Sequence, residues 1–135
     1  MSGLVVREVM ARHSPSIPLG MELTAVVDTL LRHRITGLPV VDAEQRVVGF
    51  VSEQDCLRSL LVSSYHCEGA PKVEDVMHPA PLTVSEDQSV VDIAEQMIKQ
   101  KPKVYPVVDE NRRLVGLLLR SQVLTALKNS RHRCD

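Results

Sequence analysis

Thr36-Gly37-Leu38-Pro39-Val40-Val41-Asp42, followed shortly by Gly49-Phe50-Val51-Ser52-Glu53-Gln54-Asp55, is the stretch whose reading decides the fold. Short apolar runs over residues 38–42 and 47–52, on either side of the polar Ala43-Glu44-Gln45-Arg46, read as the two strands of a hairpin. The pattern recurs 67 residues on, where residues 105–109 and 114–119 flank Glu110-Asn111-Arg112-Arg113. Working outward, Val6-Arg7-Glu8-Val9-Met10 falls on Val73-Glu74-Asp75-Val76-Met77, Pro39-Val40-Val41-Asp42 on Pro106-Val107-Val108-Asp109, and Gly49 on Gly116. The offset holds without a gap over roughly 60 residues, so two copies of one structural unit account for nearly the whole chain.

The remaining elements follow from periodicity and breakers. Residues 4–10 read as a short helical lead-in, and Ser16-Ile17 as an extended piece, because residues before Pro15 and Pro18 avoid the helical region. Leu23, Val26, Val27, Leu30 and Leu31 recur at the spacing of one helical face, matched by Val90, Ile93, Ala94, Met97 and Ile98. Closing helices are expected over residues 53–62 and 121–129. The first repeat is thus bounded at 1–62 and the second at 73–129, with a looped linker over 63–72 containing Gly69 and Pro71, and a frayed tail over 130–135.

Composition narrows the function classes. A chain of 135 residues with 44% hydrophobic but only 2% aromatic residues builds its core from aliphatic side chains, and each repeat is marginal alone, so the halves are expected to share a core. Sixteen basic against 17 acidic residues leave a net charge of −1, without the positive field that nucleic-acid binding requires. No signal pattern or apolar run near 18 residues appears, so no membrane partner is expected. Three cysteines, Cys56, Cys67 and Cys134, fit no disulfide framework and agree with a reducing cytoplasm. His66-Cys67 and His132-Arg133-Cys134 match no zinc spacing, and the histidines form no catalytic arrangement, so neither a metal nor an enzymatic activity is expected.

These residues resemble a tandem pair of cystathionine beta-synthase (CBS) domains, a Bateman module, over residues 4–128. The resemblance implies an α/β (α+β) fold of two β-α-β-β-α repeats packed with pseudo-twofold symmetry around shared clefts. It also implies regulatory binding of an adenosine-containing ligand (AMP, ADP, ATP or S-adenosylmethionine) in those clefts, with no required cofactor. Members commonly pair, so a homodimer is expected. With no attached catalytic or transport domain in the sequence, the listener would be a separate protein target.

Local chemistry points to the same place. Ser52 stands where a strand gives way to a helix, so its hydroxyl and the free N–H groups of the helix start can meet a phosphate. Asp55 offers two acceptor oxygens to a ribose diol. The competing reading is a capping box, in which the serine and acid merely start the helix. The second copy has Leu119 and Gln122 at these positions, with Ser121 available as a cap, which favours one working site, in the first copy. Ser14, Ser16 and Ile17 would present main-chain groups to an adenine edge; Thr36, Gly37, Leu38, Pro39 and Val51 would form the wall, with Gly37 either permitting close approach or serving simply as a turn residue. Lys103-Val104-Tyr105 would narrow the second cleft. Lys99, Lys101, Lys103 and Arg120 form a basic concentration, either facing ligand phosphates or, for lysines at a helix end, offsetting its dipole in solvent. The alternative to a sensor is a ligand-free dimerisation or protein-interaction scaffold of the same fold.

Overall fold

The structure, a computed structural model, describes residues 4–66, 71–100 and 103–131. In chain order the elements are α1 (Val6–Val9), β1 (Ile17–Pro18), α2 (Leu23–His33), β2 (Gly37–Val41), β3 (Val47–Ser52), α3 (Glu53–His66), a 3-10 turn (Val73–Asp75), β4 (His78–Pro79), β5 (Val84–Ser85), α4 (Val90–Gln100), β6 (Val104–Val108), β7 (Leu114–Leu119) and α5 (Arg120–Arg131). The β-α-β-β-α order therefore appears twice, from β1 to α3 and from β5 to α5.

The chain forms two compact units, Pro15–Pro81 and Met1–Ser14 together with Leu82–Asp135. The first carries a four-stranded sheet in the order β1-β2-β3-β4, with β1 parallel to β2 and the other pairs antiparallel. The second carries a three-stranded sheet, β5-β6-β7, in the matching parallel and antiparallel sense.

Both hairpins turn by the same device. Asp42 Oδ1 accepts from the N–H groups of Glu44 and Arg46, each at 2.9 Å, and Asp109 Oδ1 accepts from those of Asn111 at 2.8 Å and Arg113 at 2.9 Å. Such aspartate-to-backbone bonds stabilise a tight turn. The Arg46 N–H bond is the main reason the Asp42 carboxyl is held below its usual range. Gln45 and Arg112 take the left-handed conformation, at φ 69° and 64°, and one residue then bulges out of the ladder, between the Val40↔Gly49 and Val41↔Val47 pairs in the first copy.

The lead-ins depart from the sequence boundaries. The backbone of α1 bonds to the second repeat, Val6 N–H to Gln88 O and Arg7 N–H to Glu86 O at 3.0 Å, and Arg7 pairs with Asp87. Ala11 then exchanges backbone bonds with Leu117 at 2.9 and 3.0 Å. In the same manner the second repeat's lead-in completes the first sheet: Val73 N–H bonds to Met21 O at 2.8 Å, and β4 pairs with β3. Repeats of 1–62 and 73–129 describe the duplication, but the packed units cut across them. Two glycines permit it. A Cβ on Gly116 would lie 2.7 Å from Ala11 O, and one on Gly49 would strike Met77 Sδ and lie 3.0 Å from His78 O.

Each unit has its own aliphatic core. Ile17, Leu23, Val26, Leu30, Leu38, Val40 and Val51 are buried in the first; Val6, Val84, Val90, Ile93, Met97, Tyr105, Val107 and Leu118 cluster in the second. The helical stripes are narrower than expected, since Leu31 and Ile98 are 65% and 75% exposed. Lying eight residues beyond Leu23 and Val90, they have drifted to roughly 80° from the buried line at 3.6 residues per turn. The buried Tyr105 hydroxyl has no hydrogen-bond partner among the described residues, and burial raises its pKa.

Strands β3 and β7 keep their expected bounds, and β2 and β6 lie one residue earlier. The larger change is in α3, which runs to His66, so residues 63–66 are helical rather than linker. Nothing in Ser63-Ser64-Tyr65-His66 breaks a helix before Gly69 and Pro71. Likewise α5 takes in residues 130 and 131, and the expected tail over 132–135 lies outside the described residues, as do linker positions 67–70.

Candidate functional site

The turn from β3 into α3 brings Ser52 and Asp55 into direct contact. Ser52 donates from its N–H at 3.0 Å and from its Oγ at 2.8 Å to Asp55 Oδ2, and Asp55 N–H returns a bond to Ser52 Oγ at 3.2 Å. This is a reciprocal capping box. Asp55 is only 5% exposed, and its second oxygen is also engaged, with His78 Nε2 at 3.1 Å and Arg58 Nη1 at 3.6 Å. The expectation of two open acceptors for a ribose diol is therefore corrected: Oδ2 is taken by Ser52, and Oδ1 has His78 at hydrogen-bond distance. The expected free N–H groups at the helix start are also partly committed, since Glu53 N–H bonds to Thr36 O at 2.9 Å.

The second copy shows why. There Leu119 N–H donates to Gln122 Oε1 at 2.8 Å, and Arg120 N–H bonds to Lys103 O at 3.0 Å. Gln122 thus replaces the acceptor half of the box, and Ser121, expected as the cap, lies within α5. What the first copy alone possesses is the hydroxyl and the negative charge, not the cap. Gln122→Ala is expected to lower stability by about 1 kcal/mol, the usual cost of a lost cap. A melting curve with unchanged midpoint would show the bond to be dispensable.

The remaining wall residues divide between core and surface. Ile17, Leu38 and Val51 are fully buried, Pro39 is buried, Ser16 is half-buried and Thr36 exposed. Ser14 falls in the other compact unit, where its Oγ donates to Ala11 O at 2.8 Å. Gly37 does not leave open space: a Cβ there would lie 2.8 Å from Phe50 Cζ. The second copy has Val104 and Leu117 in place of Gly37 and Phe50. Val104 stands opposite Leu119 across the hairpin, where Gly37 stands opposite Ser52.

Lys103 and Arg120 are exposed in the second unit, Lys99 stands exposed in the last turn of α4, and Lys101 lies outside the described residues. Cys56, next to Asp55, is buried, and burial, together with the charges of Asp55 and Glu53, raises its thiol pKa. Among the described residues no group of three or more His, Cys, Asp or Glu side chains is placed to hold a metal ion, and no helix is long and apolar enough to cross a membrane.

Two residues absent from the sequence reading join the site. Arg58 carried a signal, because it lies three positions after Asp55 on one helix. His78 carried none; it reaches Asp55 only because β4 docks on β3.

The model of the CBS domain matches residues 6–62 and again 73–129. The CBS domain-containing protein CBSX1, chloroplastic, of Arabidopsis thaliana is 32% identical over 125 residues, covering 74% of this chain and 53% of that protein. The chain thus spans about half the length of that relative. Among solved structures, CBSX2 in complex with AMP is 28% identical with a TM-score of 0.83, covering 96% of this chain and 99% of that one. The CBS domain pair of protein MJ0100 in complex with 5′-methylthioadenosine and S-adenosyl-L-methionine is 25% identical with a TM-score of 0.76, covering 92% and 99%.

Proposed function

We propose that this chain, which belongs to the CBS-domain family, is a non-enzymatic regulatory module that binds an adenosine-containing ligand at Ser52 and Asp55 of its first repeat. The observation that carries this reading is the buried Asp55 carboxylate bonded to the half-buried Ser52 hydroxyl. A neutral glutamine meets the capping need at the equivalent turn, so the hydroxyl and the charge in the first copy exceed what the fold requires. Solved CBS pairs of similar structure hold AMP or S-adenosylmethionine with methylthioadenosine, which supports the ligand class. Binding would shift the module between two arrangements to the extent that the ligand prefers one. Exposed apolar side chains on several helices, Leu31, Leu57, Val91, Ile98 and Leu124, support a homodimer or a docked protein target. A cytoplasmic setting belongs to the same proposal.

Calorimetric titration with AMP, ADP, ATP and S-adenosylmethionine tests it. At least one is expected to bind tighter than millimolar, with a matching rise in melting temperature. Binding by none of them would leave the second reading, a ligand-free interaction scaffold, which the complete capping box at Ser52 and Asp55 favours.

A further inference from the structure

We propose that His78 is a gate on the ligand site, its imidazole holding the Asp55 oxygen that a ribose diol would take. The inference rests on the proposed reading of Ser52 and Asp55 as that site. A carboxylate has about four acceptor positions, and at Asp55 they are divided between partners of two kinds. Oδ2 accepts from the N–H and hydroxyl of Ser52, three residues back in the same turn, at 3.0 and 2.8 Å. Oδ1 faces His78 Nε2 at 3.1 Å and Arg58 Nη1 at 3.6 Å, from side chains 68% and 72% exposed.

Asp55 itself is almost entirely buried, so a ligand gains it only where a partner gives way. Displacing Ser52 from Oδ2 would strand a backbone N–H and undo the start of α3. Displacing His78 from Oδ1 requires only that an exposed imidazole turn into water. Of the two groups on Oδ1, His78 lies at hydrogen-bond distance, whereas exposed Arg58 at 3.6 Å contributes little.

The two groups also differ in what they are attached to. Arg58 belongs to α3, like Asp55. His78 belongs to β4, which is fastened to β3 through only the Phe50↔His78 and Gly49↔Pro79 pairs. Releasing the imidazole removes a further tie of that short strand, so ligand capture loosens the second repeat's lead-in on the first sheet. The unit containing the second hairpin has Ala11, Gln122 and Thr125 where the unit containing the first has His78, Asp55 and Arg58. Gate and acid are present together in one unit and absent together from the other.

The test is calorimetric titration of AMP and of S-adenosylmethionine into the wild-type chain, His78→Ala and His78→Gln, with hydrogen exchange followed over residues 76–80. His78→Ala is expected to bind about three- to tenfold tighter, the worth of one ordinary hydrogen bond. His78→Gln, whose amide still donates to Oδ1, is expected to stay near wild type, and ligand is expected to speed exchange over 76–80 in the wild-type chain. Wild-type binding that His78→Ala leaves equal or weaker, or that leaves exchange over 76–80 unchanged, overturns the gate while the ligand site stands. Binding by no variant, or binding that Asp55→Asn does not weaken, overturns the ligand reading and the gate with it.

Discussion

Asp55→Asn is expected to weaken adenosyl-ligand binding at least about tenfold while leaving the fold intact. The asparagine Oδ1 can still accept from Ser52, as Gln122 accepts from Leu119 in the second copy, so the helix start survives. What changes is the other side of the group. An NH2 then faces His78 Nε2 and Arg58 Nη1, and a diol that would have donated to a carboxylate oxygen meets a donor instead. Hydrogen bonds to a charged acceptor contribute about 1.5–3 kcal/mol, which corresponds to the expected tenfold or more. Asp55→Ala, by contrast, is expected to lose binding and also about 1 kcal/mol of stability with the cap. Calorimetry and thermal melting on both variants separate the roles. If Asp55→Asn binds as the wild type does, the aspartate is a cap and nothing more.

The second large effect concerns packing. Gly116→Ala is expected to destabilise the chain by about 2 kcal/mol, within the range for overpacked sites, and to lower the melting temperature by several degrees. The added methyl would sit 2.7 Å from Ala11 O and 2.9 Å from Met10 Sδ, and a backbone oxygen cannot swing aside as a side chain can. The lead-in must therefore lift from β7. Gly49→Ala is expected to be milder, since its nearest obstacle is the flexible Met77 side chain and His78 O lies at 3.0 Å. Tryptic cleavage after Arg7 and Arg12 should accelerate in Gly116→Ala and not in Gly49→Ala. Equal melting temperatures for Gly116→Ala and the wild-type chain would mean that the lead-in is not held as tightly as the geometry shows.

Much of this was legible in the sequence where the physics is local. The hairpins announced themselves through short apolar runs around polar turns, and Asp42 and Asp109 hold both turns alike. The helical stripes were legible to within their edge residues, Leu31 and Ile98. The exchange of lead-ins was not. Two copies of one motif carry the same pairing preferences, so residues 6–10 are as suited by sequence to one hairpin as to the other. At the site, Ser52 and Asp55 stood out because their counterparts differ. The comparison weighed hydroxyl and charge, however, and overlooked that Asp and Gln share an acceptor oxygen at that position. Gly37 misled in a related way. Its missing side chain was read as room for a ligand, whereas the aromatic ring of Phe50 occupies the space.

The crossed lead-ins also bear on the order in which the molecule can be made. Synthesis runs from the N-terminus and domains generally fold as units. The four-stranded sheet β1-β2-β3-β4 is complete once Pro79 has emerged, before β5, β6 and β7 exist. Residues 4–14 are made before that sheet, yet their partners Gln88, Val90 and Leu117 are made after it. They must therefore wait through the synthesis of an entire repeat with Val6 and Met10 uncovered. This lead-in, made ahead of both sheets, is among the last elements to find its place.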